Sequence, residues 1–229
     1  MRLDKYLSHC GLGTRSQTRS LIQRGVVEVN GEVCRQIGQH INDEEVRVFG
    51  EPLVYEPYLY YMMNKPQGVL SAAKDKKQPT VIDLLAGDNP LPVHVVGRLD
   101  KDTTGLLLLT NNGALAHKIM SPKTKLPKVY DMNVAHPLSL TDIQTLEAGI
   151  LLDEKKTLPC SITHLNGTLY TITLMEGRFH QIKRMMHHVG NEVLTLHRTQ
   201  IGPLVLDTSL ALGAFRRLTE QELFGLLSK

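Results

Sequence analysis

The second part of the chain consists of short apolar runs that follow one another with few helical stretches between them. From Leu59 onwards, seven runs have the length and composition of β-strands: LYYMMN, HVVGRL, LLLLTN, VYDMNV, SITHL, TLYTITL and EVLTLHR. Candidate helices are the stretches VIDLLAG, ALAHKIM, LTDIQTLEAG and HQIKRMMHHVG. Because the strands outnumber the helices and are not regularly separated by them, the pattern predicts an α+β fold. It favours a mixed, mainly antiparallel sheet over a doubly wound parallel sheet.

The first residues predict a smaller unit of a different kind. Residues 2–9 space their apolar side chains as a helix does, and a second helix is marked by Thr14 and Gln17 as a capping box and by Gly25 as its end. Asn30-Gly31 then separates two short β-runs, which is a strong hairpin signal. The sequence therefore predicts a small α/β domain of helices plus a hairpin.

A linker is expected where this pattern stops. Residues 51–57 contain two prolines and little periodicity. A chain of 229 residues suits one large domain or two modest ones. We therefore predict two domains, residues 1–57 and residues 58–229.

Charge is distributed unevenly along the predicted small domain. The first 40 residues carry more basic than acidic side chains, and acidic residues follow between Asp43 and Glu56. The net charge of +3 does not by itself establish a nucleic-acid partner. The local excess, however, predicts one surface that faces phosphate groups. The basic side chains are Arg2, Lys5, Arg15, Arg19, Arg24 and Arg35.

Several classes of protein are not expected from this sequence. No run approaches the roughly 20 apolar residues of a membrane span, and the first residues lack the apolar stretch of a signal peptide, so we expect a cytoplasmic protein without a membrane partner. The three isolated cysteines and the histidine spacings predict no metal site. Without a phosphate-binding loop we expect no cofactor, and without heptads we expect a monomer.

The segment most able to carry chemistry is residues 97–113, GRLDKDTTGLLLLTNNG. It places Asp100 in a loop braced by a continuous apolar strand, where a carboxylate can be positioned firmly. Arg98 could hold a nearby carboxylate. The composition of the segment equally fits an ordinary turn in which Asp100 caps backbone amides. The residue types alone leave both interpretations open.

The whole string closely resembles the active-site motif of the pseudouridine synthases that act on ribosomal RNA. Three further segments resemble motifs of that family in content and order: Asn64 to Gly68 (NKPQG), Lys128 to Tyr130 (KVY) and residues 176–185 (EGRFHQIKRM). The first residues, with RLDKYL, RSQTRSLIQRG and VEVNG, resemble the RNA-binding domain named after the fourth small-subunit ribosomal protein. The ending GAFRRLTEQEL is also similar to that of the family, so the resemblance covers almost the entire chain.

The resemblance implies roles for individual residues. Asp100 would be the essential aspartate, Tyr130 would contact the target base, and Lys183 would pair with Asp100 and orient it. Candidate substrate-binding residues are Arg98, Asn64, Lys65, Arg178, His180 and Gln181. Of these, Asn64 and Lys65 could instead serve the turn, and His180 and Gln181 could cap a helix. Candidate RNA-binding residues are Arg2, Lys5, Arg15, Arg19, Arg24, Asn30 and Arg184.

The implied reaction isomerises a uridine to pseudouridine in ribosomal RNA. The uracil leaves the ribose, turns and rejoins through carbon 5, which needs neither a redox cofactor nor an energy donor. Asp100 could attack the sugar, attack carbon 6 of the base, or act as a base, and the target must be flipped out of its stack. The compact two-domain form favours small-subunit 16S rRNA, either free or in a partly assembled particle.

Three alternatives remain at this point. The first is a synthase that acts on large-subunit 23S rRNA. The second is a non-catalytic ribosome-assembly factor that only holds RNA. The third is a glycoside hydrolase that uses Asp100 with Asp102, which is disfavoured because paired hydrolytic carboxylates stand about 5 Å or more apart around a sugar.

Overall fold

The chain divides into two compact units in the computed structural model, which describes residues 1–85, 92–121, 124 and 126–228. The first unit contains Met1–Leu59, and the second begins at Tyr60, apart from a short stretch ending at Val93 that groups with the first. No helix in the described residues is long and apolar enough to cross a lipid bilayer.

The first unit packs two helices against a small sheet. Thr14 and Gln17 form the predicted capping box of the second helix, and Gly25 ends it in the left-handed conformation. Asn30 and Gly31 both have positive φ, 52° and 83°, as a tight hairpin of this twist requires. The elements are α1 Leu3–His9, α2 Arg15–Arg24, β1 Val27–Val29, β2 Glu32–Val33, β3 Val46–Val48 and β4 Glu51–Pro52, with strand order β2-β1-β3-β4. Strand β4 thus occupies the first two residues of the stretch predicted as a linker.

The second unit is built on one large sheet. In the described residues it has nine strands along the order β11-β12-β8-β13-β7-β5-β15, with β14 beside β13 and β6 beside β7. Its strands are β5 Tyr60–Lys65, β6 His94–Val96, β7 Thr104–Thr110, β8 Lys128–Val134, β11 Ser161–Asn166, β12 Leu169–Leu174, β13 Val193–Ile201, β14 Leu204–Val205 and β15 Phe215–Arg217; β9 Leu151–Leu152 and β10 Lys155–Lys156 form a separate hairpin. Among these described pairs only β7 with β13 is parallel, so the predicted mixed, mainly antiparallel sheet is confirmed.

Three of the four candidate helices are confirmed, and one is not. The stretch VIDLLAG contains only a 3-10 turn, Asp83–Leu85, and its last two residues lie outside the described part of the chain. The Asp83 carboxylate accepts hydrogen bonds from the backbone amide and hydroxyl of Thr80, which stabilises this short turn. The helices are α3 Gly113–Met120, α4 Leu140–Ala148, α5 Gln181–His188 and α6 Glu220–Leu227.

Strand β7 lies in the middle of this sheet and explains the uninterrupted apolar run of the sequence. Its four leucines, Leu106 to Leu109, are fully buried because packing covers both faces of the strand. The loop that carries Asp100 leads directly into this strand. A strand with a fully buried leucine run therefore anchors the loop with the candidate catalytic residue.

A buried carboxylate organises the arginines of the first unit. The Asp4 side chain is fully buried, and it accepts hydrogen bonds from Arg2 at 3.2 Å, from Arg15 at 3.1 Å and from Arg19 at 3.0 Å. Burial alone would raise the pKa of Asp4, but the three guanidinium groups, Arg19 foremost, outweigh it and lower the pKa to about 2. Each arginine remains about half exposed, so one buried anion holds a cationic surface in place.

Replacing Asp4 with asparagine should destabilise the first unit in a pH-dependent way. Because the pKa is about 2 in the folded state and 3.8 ordinarily, the ion pairs stabilise the fold above about pH 4 and lose their effect as the pH falls toward 2. We expect Asp4→Asn to cost about 1–3 kcal/mol of unfolding free energy at pH 7. A urea titration followed by hydrogen exchange on peptides from residues 1–50 measures this.

The control is Glu32→Gln, which removes an exposed carboxylate from strand β2 of the same unit and should change little. If the loss caused by Asp4→Asn were the same at pH 7 and near pH 2, the ion pairs would not be its cause.

Candidate active site

Asp100 lies in the loop between β6 and β7, with its side chain 28% exposed. The loop is held on both sides of this residue. Before it, the Ser71 hydroxyl donates to the Leu99 carbonyl at 2.8 Å and accepts from the Leu99 amide at 3.1 Å. After it, the Thr103 amide donates to the Asp100 carbonyl, which closes a turn. The carboxylate is thus presented from a braced turn rather than from a free loop.

Lys65 stabilises this loop from the interior of the protein. Its side chain is fully buried, and the ammonium group donates to the carbonyls of Asp100 at 3.1 Å and of Thr103 at 3.0 Å, as well as to Pro66 and Lys101. Burial lowers the pKa of Lys65 to about 8, although Asp102 and Asp100 partly oppose that effect. Substrate contact, predicted for Lys65, does not fit this placement, because the loop's own carbonyls surround the ammonium group.

Two basic side chains of the α5 region face the carboxylate. The Lys183 ammonium lies 3.3 Å from Oδ2 of Asp100, and His180 Nε2 lies 3.5 Å from Oδ1. The same lysine also lies 2.5 Å from Oδ1 of Asp102. Lys183 therefore bridges two carboxylates and is closer to Asp102, which the sequence analysis considered only as the second carboxylate of a glycoside hydrolase.

The bridge changes the proton affinities of its members. Partial burial would raise the pKa of Asp102, but the hydrogen bond and charge of Lys183 outweigh it and lower the pKa. Burial would likewise lower the pKa of Lys183, but Asp102 and Asp100 together raise it. The ammonium form of Lys183 is therefore favoured, which keeps a positive charge beside Asp100.

A buried arginine joins the loop to Tyr130. Arg198 is 1% exposed; its guanidinium donates to the Gly97 carbonyl at 2.7 Å and to the Leu106 carbonyl at 2.8 Å, and lies 3.5 Å from the Tyr130 hydroxyl. Arg198 therefore ties together the two ends of the loop and the aromatic residue. Sequence reasoning missed it, because a single arginine inside the strand-like run EVLTLHR gives no sign of pointing inward.

Asp100, Tyr130 and Lys183 line one cavity of about 90 Å³. The rest of its wall combines the apolar side chains of Leu174, Ile182 and Leu196 with polar ones such as Arg98 and His180. Asp100 also borders a second, more open pocket of about 370 Å³, whose lining includes Gln67, Gly68, Lys101 and Asp102. The carboxylate thus stands between a small pocket that has an aromatic residue on its wall and a wider, more open pocket. Aromatic and aliphatic side chains beside a carboxylate can hold a flat ring against it.

Three of the predicted substrate contacts belong to the framework around the site. The Asn64 side-chain amide donates to the Leu210 carbonyl, and the Arg178 guanidinium donates to Glu176 and to the carbonyls of Leu152, Lys155 and Lys156 in the β9–β10 hairpin. Gln181 accepts from the Arg178 amide and donates to Glu176, which holds the turn that precedes α5. The Arg178 guanidinium, the Gln181 side chain and the Asn64 amide nitrogen are thus engaged within the protein, while Oδ1 of Asn64 is buried without a hydrogen-bond partner in the described residues. Arg98, in contrast, is exposed at the cavity.

The predicted RNA-binding residues occupy exposed or partly exposed positions. Arg2, Arg15 and Arg19 are the arginines gathered around Asp4, while Lys5 and Arg24 are exposed on the same two helices. The Asn30 side chain accepts a hydrogen bond from the Glu45 amide, so it supports the hairpin turn. Arg184 makes a bidentate ion pair with Asp153, with N–O distances of 2.6 and 2.8 Å. In residues 1–85, 92–121, 124 and 126–228, no group of three or more His, Cys, Asp or Glu side chains is arranged to hold a metal ion.

Comparison with known proteins gives one consistent result. Residues 59–188 match the family described as RNA pseudouridylate synthase, and residues 1–46 match the S4 domain. Over 97% of its length the chain is 44% identical to an uncharacterized RNA pseudouridine synthase of Bacillus subtilis strain 168, of which the match covers 97%. It is 40% identical to the ribosomal small subunit pseudouridine synthase A of Haemophilus influenzae and 36% identical to that of Escherichia coli K12, over 97% of this chain and 98% of each relative. A crystal structure of a pseudouridylate synthase, 38% identical, superposes with a TM-score of 0.71 over 99% of both chains.

We expect an unusual pH dependence of stability for the second unit, because the pKa of Lys65 is lowered. Because its pKa is about 8 in the folded state and 10.5 ordinarily, the unfolded chain binds more protons between these values, and stability therefore rises with pH. The difference in unfolding free energy between wild type and Lys65→Met should shift in favour of wild type by about 1–3 kcal/mol from pH 8 to pH 10. Urea unfolding at several pH values measures this difference.

Lys101→Met is the matched control, since it removes an exposed positive charge from the loop whose carbonyls bind Lys65. A difference between wild type and Lys65→Met that stayed constant across this range would contradict the lowered pKa of Lys65.

Asp102→Asn should lower the pKa of Lys183, because it removes the closer of the two carboxylates that hold the ammonium group. Nuclear magnetic resonance of lysines labelled at the ε-carbon measures this pKa directly. Asp153→Asn is the control, since it removes a carboxylate that pairs with Arg184 on the same helix. An unchanged Lys183 pKa in Asp102→Asn would show that Asp102 does not share its charge.

Proposed function

This chain belongs to the RNA pseudouridine synthase family, and we propose that it isomerises one uridine of small-subunit ribosomal RNA to pseudouridine, with Asp100 as the catalytic residue. The observation that carries the proposal is the position of Asp100. Its carboxylate borders a small cavity with Tyr130 on the wall and Lys183 at 3.3 Å. The proposal assigns a role to each of these side chains.

Asp100 acts on the nucleotide that enters the cavity. A carboxylate can attack the anomeric carbon of the ribose or carbon 6 of the uracil, or take a proton, and each role requires the ionised form. The ammonium group of Lys183 lies 3.3 Å from this carboxylate and pairs with it. The carbonyl contacts of Lys65 and Arg198 hold the loop, so that the carboxylate does not have to be repositioned during the reaction.

Tyr130 and the neighbouring apolar side chains hold the base. The target atoms cannot be reached within a stacked strand, so the uridine must be flipped out of the RNA. Its ring then lies against Tyr130, Leu174 and Leu196 while the detached uracil turns. Arg98 lies exposed at this cavity and supplies a positive charge for the phosphates of the flipped nucleotide.

We further propose that residues 1–57 are an RNA-binding domain and residues 58–229 the catalytic domain. The half-exposed arginines around Asp4 support this, because three guanidinium groups share one carboxylate and leave a positive excess. Positive side chains fixed in advance can bind phosphate without first losing conformational freedom. In this domain Lys5, Arg24 and Asn30 complete the proposed RNA contacts, and Arg184 adds one in the catalytic domain.

The choice of RNA follows the relatives. The chain is 40% and 36% identical over nearly the whole length of two proteins named as small-subunit synthases. We therefore place small-subunit rRNA before large-subunit rRNA, and we propose that the enzyme works in the cytoplasm as a monomer. A partly assembled small-subunit particle is the proposed form of the substrate.

The test compares wild type with Asp100→Asn on three substrates: small-subunit rRNA, large-subunit rRNA and partly assembled small-subunit particles. We expect pseudouridine at one position of the small-subunit RNA with wild type and a rate at least about a thousandfold lower with Asp100→Asn. Chemical mapping of pseudouridine along the RNA gives both the site and the rate. Asp43→Asn, which changes an exposed aspartate of the first unit, is the control for the loss of one negative charge.

Each other outcome contradicts one part of the proposal. Product only in large-subunit RNA would overturn the substrate, and undiminished product with Asp100→Asn would overturn the catalytic role. RNA binding by wild type without any product would indicate an assembly factor.

A further inference from the structure

An exposed aromatic residue stands directly before α5. Phe179 is 75% exposed, although a phenylalanine ring gains free energy when it is removed from water. Its ring stacks on that of His180, with the ring centres 3.8 Å apart and the planes 17° from parallel. One face of Phe179 is therefore covered by His180, and the opposite face is open.

The surrounding backbone holds this pair in a defined place. His180 adopts the left-handed conformation, with φ 49°, where a non-glycine residue persists only if neighbouring contacts enforce it. Arg178 and Gln181 both bind Glu176, which fixes the segment on both sides of Phe179. The backbone that carries the exposed ring is thus held by contacts on both sides, and the ring itself packs on His180.

This pair of rings lies next to the proposed reaction centre. Nε2 of His180 is 3.5 Å from Oδ1 of Asp100. The Nε2 edge of the His180 imidazole therefore points at the proposed catalytic carboxylate, and one flat side of the same ring stacks on Phe179. Exposed Lys101 lines the open pocket at the same place and supplies positive charge, while the ammonium group of Lys183 pairs there with Asp100 and Asp102.

We propose that Phe179, backed by His180, is a stacking platform for an unpaired nucleobase adjacent to the target uridine. This inference rests on the proposed function. Flipping the uridine breaks its stacking with the neighbouring bases, and a neighbouring base can recover part of that loss on an open aromatic face. The exposed charge of Lys101 at the open pocket fits a phosphate that flanks such a base. A flat, open face and a nearby cation match RNA better than an apolar protein surface.

The test measures single-turnover pseudouridine formation on in-vitro transcribed small-subunit ribosomal RNA at increasing enzyme concentrations. Phe179→Leu keeps an apolar side chain but removes the aromatic face, and Phe179→Tyr keeps the face. We expect Phe179→Leu to raise the half-saturating enzyme concentration about tenfold, with little change in the maximal rate. Phe179→Tyr should stay within about twofold of wild type.

Phe224→Leu is the matched control, because Phe224 is 71% exposed on α6, outside the residues that line the proposed active site. If wild type forms no pseudouridine on this RNA, the proposed substrate fails. If wild type is active and Phe179→Leu behaves as wild type does, the platform is overturned while the proposed function stands.

Two other results also overturn the platform. A lower maximal rate at unchanged half-saturation, not restored by tyrosine, would mean that Phe179 only positions His180. A defect seen with small-subunit particles but not with free transcript would mean that Phe179 contacts a ribosomal protein instead of a base.

Discussion

The parallel contact between β7 and β13 is the constraint on which the site depends. Gly105 lies opposite Arg198 in this pairing, and a Cβ atom at Gly105 would come within 2.3 Å of the Arg198 carbonyl oxygen. Only glycine permits so close an approach, and its φ of 102° is also one that other residues rarely adopt. The contact places the Arg198 guanidinium where it binds Gly97, Leu106 and Tyr130 together. The loop, the strand and the aromatic wall therefore share one anchor.

Two buried cations stand behind one proposed catalytic carboxylate. Lys65 and Arg198 are fully or almost fully buried, and both direct most of their hydrogen bonds to backbone carbonyls. Burying a charge is costly unless it is hydrogen-bonded and balanced by opposite charge. The carboxylates of Asp100 and Asp102, together with the carbonyl dipoles, provide that balance for Lys65. The hydrogen bonds that offset the free-energy cost of burying these two cations also fix the geometry of the loop.

The elements of the fold could be predicted because their causes are local. The leucine run became a central strand, and the capping residues Thr14 and Gln17 start the helix they predict. The exception is VIDLLAG, where the apolar spacing indicated a helix but only a 3-10 turn forms around Thr80 and Asp83. The sequence pattern does not record that the Asp83 carboxylate binds Thr80 and closes the segment as a short turn.

The site could be located from the sequence, but the direction of its side chains could not. The resemblance predicted that Asp100, Tyr130 and Lys183 share one site, and these residues do line one cavity. Lys65 was a candidate for substrate contact or for support of a turn, and its ammonium group binds the backbone of the loop. A motif identifies the positions that matter, and only the fold decides whether a side chain faces the pocket or the backbone behind it. Arg198 was missed for the same reason, and the pairing of Asp102 with Lys183 was not predicted, since both depend on contacts between distant segments.

The two units use the same physical device with opposite sign. In the first, the buried group is the anion Asp4, and its partners, such as Arg15 and Arg19, extend half-exposed toward solvent. In the second, the buried group is the cation Lys65, and the loop it holds presents the carboxylate of Asp100. A buried charge binds groups of opposite polarity, which are guanidinium groups around Asp4 and backbone carbonyl oxygens around Lys65. The first arrangement yields a positive face suited to phosphate, and the second yields a carboxylate suited to chemistry on a flipped base.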